Sequence, residues 1–250
     1  MAATLPAPLL LTERDIRRHA PGHLLGVCWR QWRTERALAR RGIHFRSTDP
    51  AQVEAAYAAM SAEEFDAVNG RQDWANWRTI PRCLSGHVPD RPLRILDLGC
   101  GSGGSTRVLA IYAPPGSHLT AYELAEPLLR KAQARRYAHR DGQPARVDFR
   151  CQGVTELLRE ADGPPVAEGS VDVVNASGVV GHHLDRQTVG PLVAELQRVL
   201  RPEGIAMLDV GPRMREPELT GLLTKVGFRM LGHWRSCWLD PNGQVVYRRE

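Results

Sequence analysis

At 250 residues, with 42% hydrophobic and 24% charged side chains, the chain has the composition of a folded globular protein, which excludes bulk disorder. That length suits one α/β domain with an extension and allows a substantial core. A formal charge of +5 permits an acidic partner without demanding one. Much of the excess falls on Arg14, Arg17, Arg18, Arg30, Arg33, Arg36, Arg40 and Arg41, for which a solvated helical face is weighed above an anionic or nucleic-acid site. Cys28, Cys83, Cys100, Cys151 and Cys237 are scattered with no C-x-x-C pair, which suggests neither zinc nor a disulfide framework and fits a reducing cytoplasm. Residues 1–12 lack the basic flank and apolar length of a signal peptide, and no stretch reaches membrane-spanning length, so no membrane partner is expected.

Residues 1 to about 88 read as helical. The stretch 28–41 favours helix and meets a stop at Gly42. Asp49-Pro50 reads as an N-cap with proline at the first helical position, opening a helix over 51–60 with Val53, Ala56, Tyr57 and Met60 on one face. Ser61-Ala62-Glu63-Glu64 has the spacing of a capping box and starts another helix through Phe65 and Val68. Trp74, Trp77, Arg78 and Ile80 fall on an amphipathic turn before Pro81, and 86–92 forms a linker. From Leu93 onward strands and helices alternate, which implies a parallel sheet with right-handed crossovers. Strands are expected at 94–98, 118–122, 146–151, 171–176, 205–210, 228–238 and 244–248, with helices at 126–139, 188–200 and 216–226. Asp240-Pro241-Asn242-Gly243 reads as the turn joining the last two strands.

The centre of this pattern is Leu96-Asp97-Leu98-Gly99-Cys100-Gly101-Ser102-Gly103, a buried strand running into a glycine-rich turn and then a helix. Glycine there lets the backbone take positive φ and lets a ligand approach the main chain. Spacing alone does not name the ligand, because Gly99, Gly101 and Gly104 also satisfy the G-x-G-x-x-G dinucleotide fingerprint. Glu123 ends the second strand, twenty positions beyond Gly103, where a carboxylate accepts bonds from both hydroxyls of an adenosine ribose in either ligand class.

The whole string, with its acid two positions before the first glycine, resembles the first motif of the class I S-adenosylmethionine-dependent methyltransferases. Leu200-Arg201-Pro202-Glu203-Gly204 is similar to that family's Leu-x-Pro-Gly-Gly turn, with Glu203 in a glycine's place. Together the similar segments cover roughly residues 93–210. The resemblance implies a doubly wound, mostly parallel seven-stranded sheet of order 3-2-1-4-5-7-6 with its last strand antiparallel. Residues 1–88 would form a helical lid that contacts the acceptor, and 89–250 the Rossmann-like domain. S-adenosylmethionine would be the cofactor and S-adenosylhomocysteine the product.

By the same resemblance, Asp97 would hold the methionine ammonium directly or through water, and Gly99, Cys100, Gly101 and Gly103 would bring the backbone close to the ligand. Glu123 and Leu124 would meet the ribose side, while Gln152, Gly153 and Val154 would present groups to the adenine. Asn175, Ala176 and Ser177 would line the methionine end and the acceptor. Arg78 is a candidate for the methionine carboxylate, and Trp74 and Trp77, with the Trp29–Trp32 region, are candidates for acceptor contact. His182 and His183 follow strand four, where a neutral histidine would take a proton from a hydroxyl or ammonium; a structural role is the competing reading for both.

Absences narrow the class. No Asn/Asp-Pro-Pro-Tyr follows strand four and no Pro-Cys occurs, which argues against amino methylation through that motif and against cysteine attack on a pyrimidine. Strand four lacks the acidic pattern of metal-dependent catechol-type enzymes, so no metal is expected. The leading expectation is methyl transfer to a small-molecule acceptor on oxygen, nitrogen or carbon. An RNA or protein methyltransferase using the arginine-rich helix is the first alternative, and an inactive S-adenosylmethionine-binding protein the second.

Overall fold

The computed structural model describes residues 21–47, 49–161, 163–237 and 243–250. The expectations for Arg14, Arg17, Arg18, residues 1–12 and the turn at 240–242 lie outside them.

Four helices lead the described chain: α1 (Pro21–Arg40), α2 (Pro50–Ala58), α3 (Ala62–Val68) and α4 (Gly70–Leu84). Their starts follow local chemistry. Asp49 accepts the amide of Ala51 before the proline of α2. The capping box of α3 is complete, with Ser61 Oγ accepting the Glu64 amide at 3.2 Å and Glu64 Oε2 accepting the Ser61 amide at 2.9 Å. Helix α1 starts seven residues earlier than the sequence suggested, and Pro81 sits within α4 rather than ending it.

Then come β1 (Arg94–Leu98), α5 (Gly104–Tyr112), β2 (His118–Glu123), α6 (Glu126–Gln133), β3 (Arg146–Cys151), β4 (Val171–Ala176) and the single turn α7 (Val180–His183). The chain closes with α8 (Gly190–Val199), β5 (Leu200–Val210), α9 (Glu216–Thr224), β6 (Phe228–Trp234) and β7 (Gly243–Arg249). The sheet order is β3-β2-β1-β4-β5-β7-β6. Strands β3 to β5 run parallel, and β7 lies antiparallel to both neighbours, as the sequence led us to expect.

Both faces of the sheet are covered, which is why β4 is buried at every position and mostly apolar, Asp172 and Asn175 excepted. One core cluster joins Val174, Leu208 and Tyr247 to Leu192 and Leu219; the other joins Ile95, Leu119 and Met207 to Val108. Helix α4 is part of the second cluster through Trp77, Ile80, Cys83 and Leu84. Helices α1 and α3 and the end of the α2 segment hold a small cluster of their own around Leu38, Met60 and Val68.

Three further boundaries differ from expectation. Helix α6 ends at Gln133, because the chain beyond it turns back to bridge Ala138 with Pro144 and to pack Tyr137 beside Phe149. Strand β6 ends at Trp234. The segment 200–204 belongs to β5, and Glu203 takes φ 66°, the left-handed conformation that a glycine would adopt without strain.

Candidate cofactor and acceptor site

The strand order reverses between β1 and β4, and the carboxyl ends of strands flanking such a switch point form a crevice. Two cavities open there. The first, of about 540 Å³, lies between the glycine turn and helices α3 and α4, with Gly99, Cys100, Gly101, Ser105, Trp74 and Ser177 among its walls. The second, also of about 540 Å³, is bounded by Tyr57, Gly178, His182, His183, Asp209 and Gln244. Asn69 and Gln72 border both.

The turn between β1 and α5 carries Gly99, Gly101 and Gly103 at φ 69°, 55° and 87°. Conformation is only part of the demand on Gly101. A Cβ there would stand 2.7 Å from the ring of Phe65, so α3 lies directly on the turn. Phe65 packs with Ala125, Leu128 and Tyr57, the last edge-to-face at 5.3 Å between ring centroids. Cys100 is buried and its thiol pushed up by burial, which makes it a filler rather than a nucleophile.

Beneath the turn lies a closed polar network. Asp97 is fully buried and accepts hydrogen bonds from Ser105 Oγ at 2.8 Å, Thr106 Oγ1 at 2.6 Å and Asn175 Nδ2 at 2.7 Å. Parallel register puts Asp97 opposite Asn175 and so makes the last bond possible. Asn175 Oδ1 in turn accepts from Ser177 Oγ at 3.0 Å and Gln244 Nε2 at 2.7 Å. Burial raises the Asp97 carboxyl's pKa, and the three hydrogen bonds oppose that rise. The Asp97 contacts thus tie the floor of the turn to β4 and α5. Ala176 is in the apolar core.

Glu123 reaches the turn from the end of β2. Its Oε2 accepts the Gly101 amide and its Oε1 the Ala125 amide, each at 2.9 Å. Burial dominates its raised pKa and the backbone amides oppose it; no cation is among the causes. A buried carboxylate that has only amide donors retains lone pairs for hydroxyl donors. Beyond it, Leu124 is half-buried, with its carbonyl 3.4 Å from Cys151 Sγ. Gln152 is occupied within its own loop, giving Nε2–H to Leu157 O at 2.7 Å and accepting the Arg159 amide. Gly153 donates its amide to Glu156, and Val154 packs on the core. None of Glu123, Leu124, Gln152, Gly153 and Val154 lines either cavity, because Phe65 and its neighbours cover that end.

The tryptophans divide. Trp74 faces the first cavity, with the Arg78 guanidinium stacked 4.4 Å from its centroid. Trp77 is a core residue with Arg107 over its ring, and so is corrected as an acceptor contact. Trp29 and Trp32 are 58% and 52% exposed on the outer face of α1, away from both cavities. Arg78 lines neither cavity; Arg30, Arg107 and Arg135 line the first together with Glu63, Asp66 and Asp73, and Arg135 lies 3.8 Å from Asp66. A cavity lined by both guanidinium and carboxylate groups suits a zwitterionic ligand such as the amino-acid part of S-adenosylmethionine.

In the second cavity, His183 Nδ1 lies 3.3 Å from Ser47 O and Nε2 lies 3.1 Å from Tyr57 Oη. A carbonyl only accepts, so Nδ1 carries the proton, and Nε2 accepts from the Tyr57 hydroxyl. Burial lowers the His183 pKa and raises that of Tyr57, so both are neutral at pH 7. Asp209, at the end of β5, fixes the turn that carries both histidines. Its carboxylate accepts the amides of Val179, Val180 and Gly181, each at 2.9 Å, and His182 Nε2 lies 4.0 Å away. Sequence reasoning missed Tyr57, Phe65, Asp209 and Gln244. Asp209 carried a signal, an acid at a parallel strand's carboxyl end like Glu123; the others come from elements whose docking no local pattern states.

Among the described residues no group of three or more histidine, cysteine or acidic side chains is placed to hold a metal ion, and no helix is long and apolar enough to cross a membrane. Residues 95–204 match the family described as "Methyltransferase domain". The chain is 34% identical over 122 residues to a ubiquinone biosynthesis O-methyltransferase of Maricaulis maris, covering 49% of this chain and 42% of that protein. It is 30% identical over 166 residues to a glycine/sarcosine/dimethylglycine N-methyltransferase of Actinopolyspora halophila, covering 63% and 26%. The chain thus spans less than half the length of either relative. A magnesium protoporphyrin IX methyltransferase from Synechocystis, solved with S-adenosylmethionine bound, shares the fold at a TM-score of 0.55 and 17% identity over 76% of this chain and 85% of that one. The glycine turn and the family match fall on one segment: residues 95–204 are similar to a methyltransferase domain, and the seven-stranded sheet around them has the order expected from the sequence.

Proposed function

We propose that the chain transfers a methyl group from S-adenosylmethionine to a small-molecule acceptor held in the second cavity. The observation that carries this reading is the adjacency of two cavities of similar size, one on the glycine turn and one on a Tyr57–His183 pair, with only Asn69 and Gln72 bordering both. The sulfonium supplies an activated methyl, so the protein's task is alignment, exclusion of water and proton removal. An acceptor hydroxyl or ammonium would give its proton to Tyr57 Oη as the Tyr57 proton passes to His183 Nε2, leaving imidazolium steadied by Ser47 O. His182 is assigned to the cavity wall.

Gly99, Gly101 and Gly103 with Glu123 are assigned to cofactor binding, Asp97 and Asn175 to support of the turn, and Ser177 to the passage between cavities. For Glu123 and the adenine-side loop to meet the cofactor, Phe65 must leave Gly101, so we assign residues 21–68 as the lid and α4 onward as the body. A cytoplasmic location is part of the same reading. Incubation with methyl-labelled S-adenosylmethionine and pooled small metabolites tests it: labelled product absent from His183→Gln supports it, and label appearing only on protein or RNA overturns it.

One observation favours a macromolecular acceptor as the second reading. Arg33 and Arg36 stack on the exposed Trp29 and Trp32 of α1 at 5.1 and 4.9 Å, a cationic and aromatic stripe suited to single-stranded nucleic acid. That reading requires binding to fall steeply with salt.

A further inference from the structure

The loop after β4 touches both cavities, with Ser177 on the first and Gly178 on the second. Gln244, the second residue of β7, also lines the second cavity. Ser177 and Gln244 are both buried, and Gln244 Nε2 donates to Ser177 Oγ at 2.8 Å. The direction of each bond in this group follows from Asp97. Its carboxylate accepts Asn175 Nδ2–H, which leaves Asn175 Oδ1 for its other neighbours. That oxygen only accepts, so Ser177 gives it the hydroxyl proton at 3.0 Å and Gln244 presents its amide nitrogen at 2.7 Å. Gln244 Oε1 is left toward the Cys83 thiol of α4, 3.8 Å away. The reversed amide would set two carbonyl oxygens against each other in a dry site.

A hydroxyl has one proton and two lone pairs. In Ser177 the proton goes to Asn175 and one lone pair takes Gln244, so toward the first cavity this side chain can only accept. Its place in the sheet names the donor. Glu123, assigned to the ribose, ends β2, whereas Ser177 follows β4, on the other side of β1. A cofactor lying across the glycine turn from Glu123 brings its amino-acid end to Ser177. The donor at that end is the ammonium, and the carboxylate, an acceptor, is refused. We propose that Gln244 is a positioning residue, which holds Ser177 Oγ as a fixed acceptor for the ammonium of the cofactor's amino-acid end. The next residues of the loop are fixed by Asp209 through the amides of Val179, Val180 and Gly181, and Asp209 faces Gln244 in the β5–β7 register. One pair of strands thus sets both the ammonium contact and the histidine turn. This inference rests on the methyltransferase reading.

Calorimetry on the full chain tests it with S-adenosylhomocysteine and with methylthioadenosine, which lacks the amino-acid end. A hydrogen bond to a charged group predicts that Ser177→Ala weakens S-adenosylhomocysteine by about tenfold or more and methylthioadenosine by less than about twofold. Gln244→Met removes the amide at nearly constant volume and should weaken S-adenosylhomocysteine by about threefold or more, again sparing methylthioadenosine. In the Ser177→Ala background the Gln244→Met effect should vanish, because Gln244 acts through that hydroxyl. Melting curves check folding, and Gln244→Glu, similar in volume and without the donor, stands in if Gln244→Met melts below the assay temperature. Equal losses of both ligands would make the glutamine a purely structural group and overturn the inference, as would losses that multiply in the double variant. Undiminished S-adenosylhomocysteine affinity in Ser177→Ala would hand the ammonium to Glu63, Asp66 or Asp73 and overturn it too. The double-variant result is read from S-adenosylhomocysteine alone, so it decides even where methylthioadenosine binds too weakly to measure. Failure of the unsubstituted chain to bind either compound overturns the methyltransferase reading, and this inference with it.

Discussion

Tyr57 and His183 show how a single contact across the chain sets chemistry. The Ser47 carbonyl fixes the tautomer of His183, so Nε2 is left as an acceptor facing the one hydroxyl beside it. Tyr57→Phe keeps the ring's packing on Phe65 and removes only that hydroxyl. General base catalysis is worth about a hundredfold or more, so kcat should fall by roughly that factor while cofactor affinity holds. Because burial holds the His183 pKa below its ordinary value, kcat should be flat through neutral pH and fall only below the ordinary histidine range. A profile that instead drops between pH 8 and 7 would place the base elsewhere. Glu203 is a simpler case. Its left-handed backbone is a strain that glycine relieves, and its ion pair with Arg248 at 3.5 Å is solvent-exposed and weak. Glu203→Gly should therefore gain up to about 1 kcal/mol, or roughly 2–4 °C in Tm by calorimetry, with activity unchanged.

Helix α3 and the end of β5 are the elements that shape the site. Phe65 on Gly101 means that the lid and the nucleoside side of the cofactor site compete for one volume. Phe65→Ala should strengthen S-adenosylhomocysteine binding by about threefold or more, because a smaller fraction of molecules then holds the covered arrangement. Weaker binding by calorimetry would make the ring part of the bound site instead. At β5, Gly181 and Gly211 bring their backbones together, and a Cβ at Gly181 would collide with the Gly211 amide. Gly181→Ala should thus displace the histidine turn from Asp209, costing kcat more than cofactor affinity. These elements also mark where sequence was legible. Strand β4, buried throughout and mostly apolar, and the capping box at Ser61–Glu64 carry their structure in local pattern. The end of α6 does not: residues 134–139 favour helix, yet the Ala138–Pro144 bridge and the packing of Tyr137 win. Glu123 was readable because a strand end and a glycine turn share one local unit, whereas Phe65 and Tyr57 reach the site by a docking that periodicity does not encode.

At the scale of the molecule, partly buried histidines link stability to pH. His87, His183 and His233 all have pKa values lowered chiefly by burial. As pH falls below about 6.5 the unfolded chain takes up protons that the native chain refuses, so stability is lost toward acid. Melting curves at pH 7.5 and 5.5 should show this, and His183→Gln should show a smaller difference between them. An equal difference would remove His183 from the account.

The central claim is that the glycine turn and Glu123 bind an adenosyl sulfur compound. Calorimetric titration with S-adenosylmethionine, S-adenosylhomocysteine and NAD, repeated on Glu123→Ala, tests it most directly, with melting curves to confirm that the variant folds. The account predicts micromolar binding of the two adenosyl sulfur compounds, no binding of NAD, and loss of both ligands in the variant. Binding of NAD alone, or adenosyl affinity undiminished in Glu123→Ala, would contradict it.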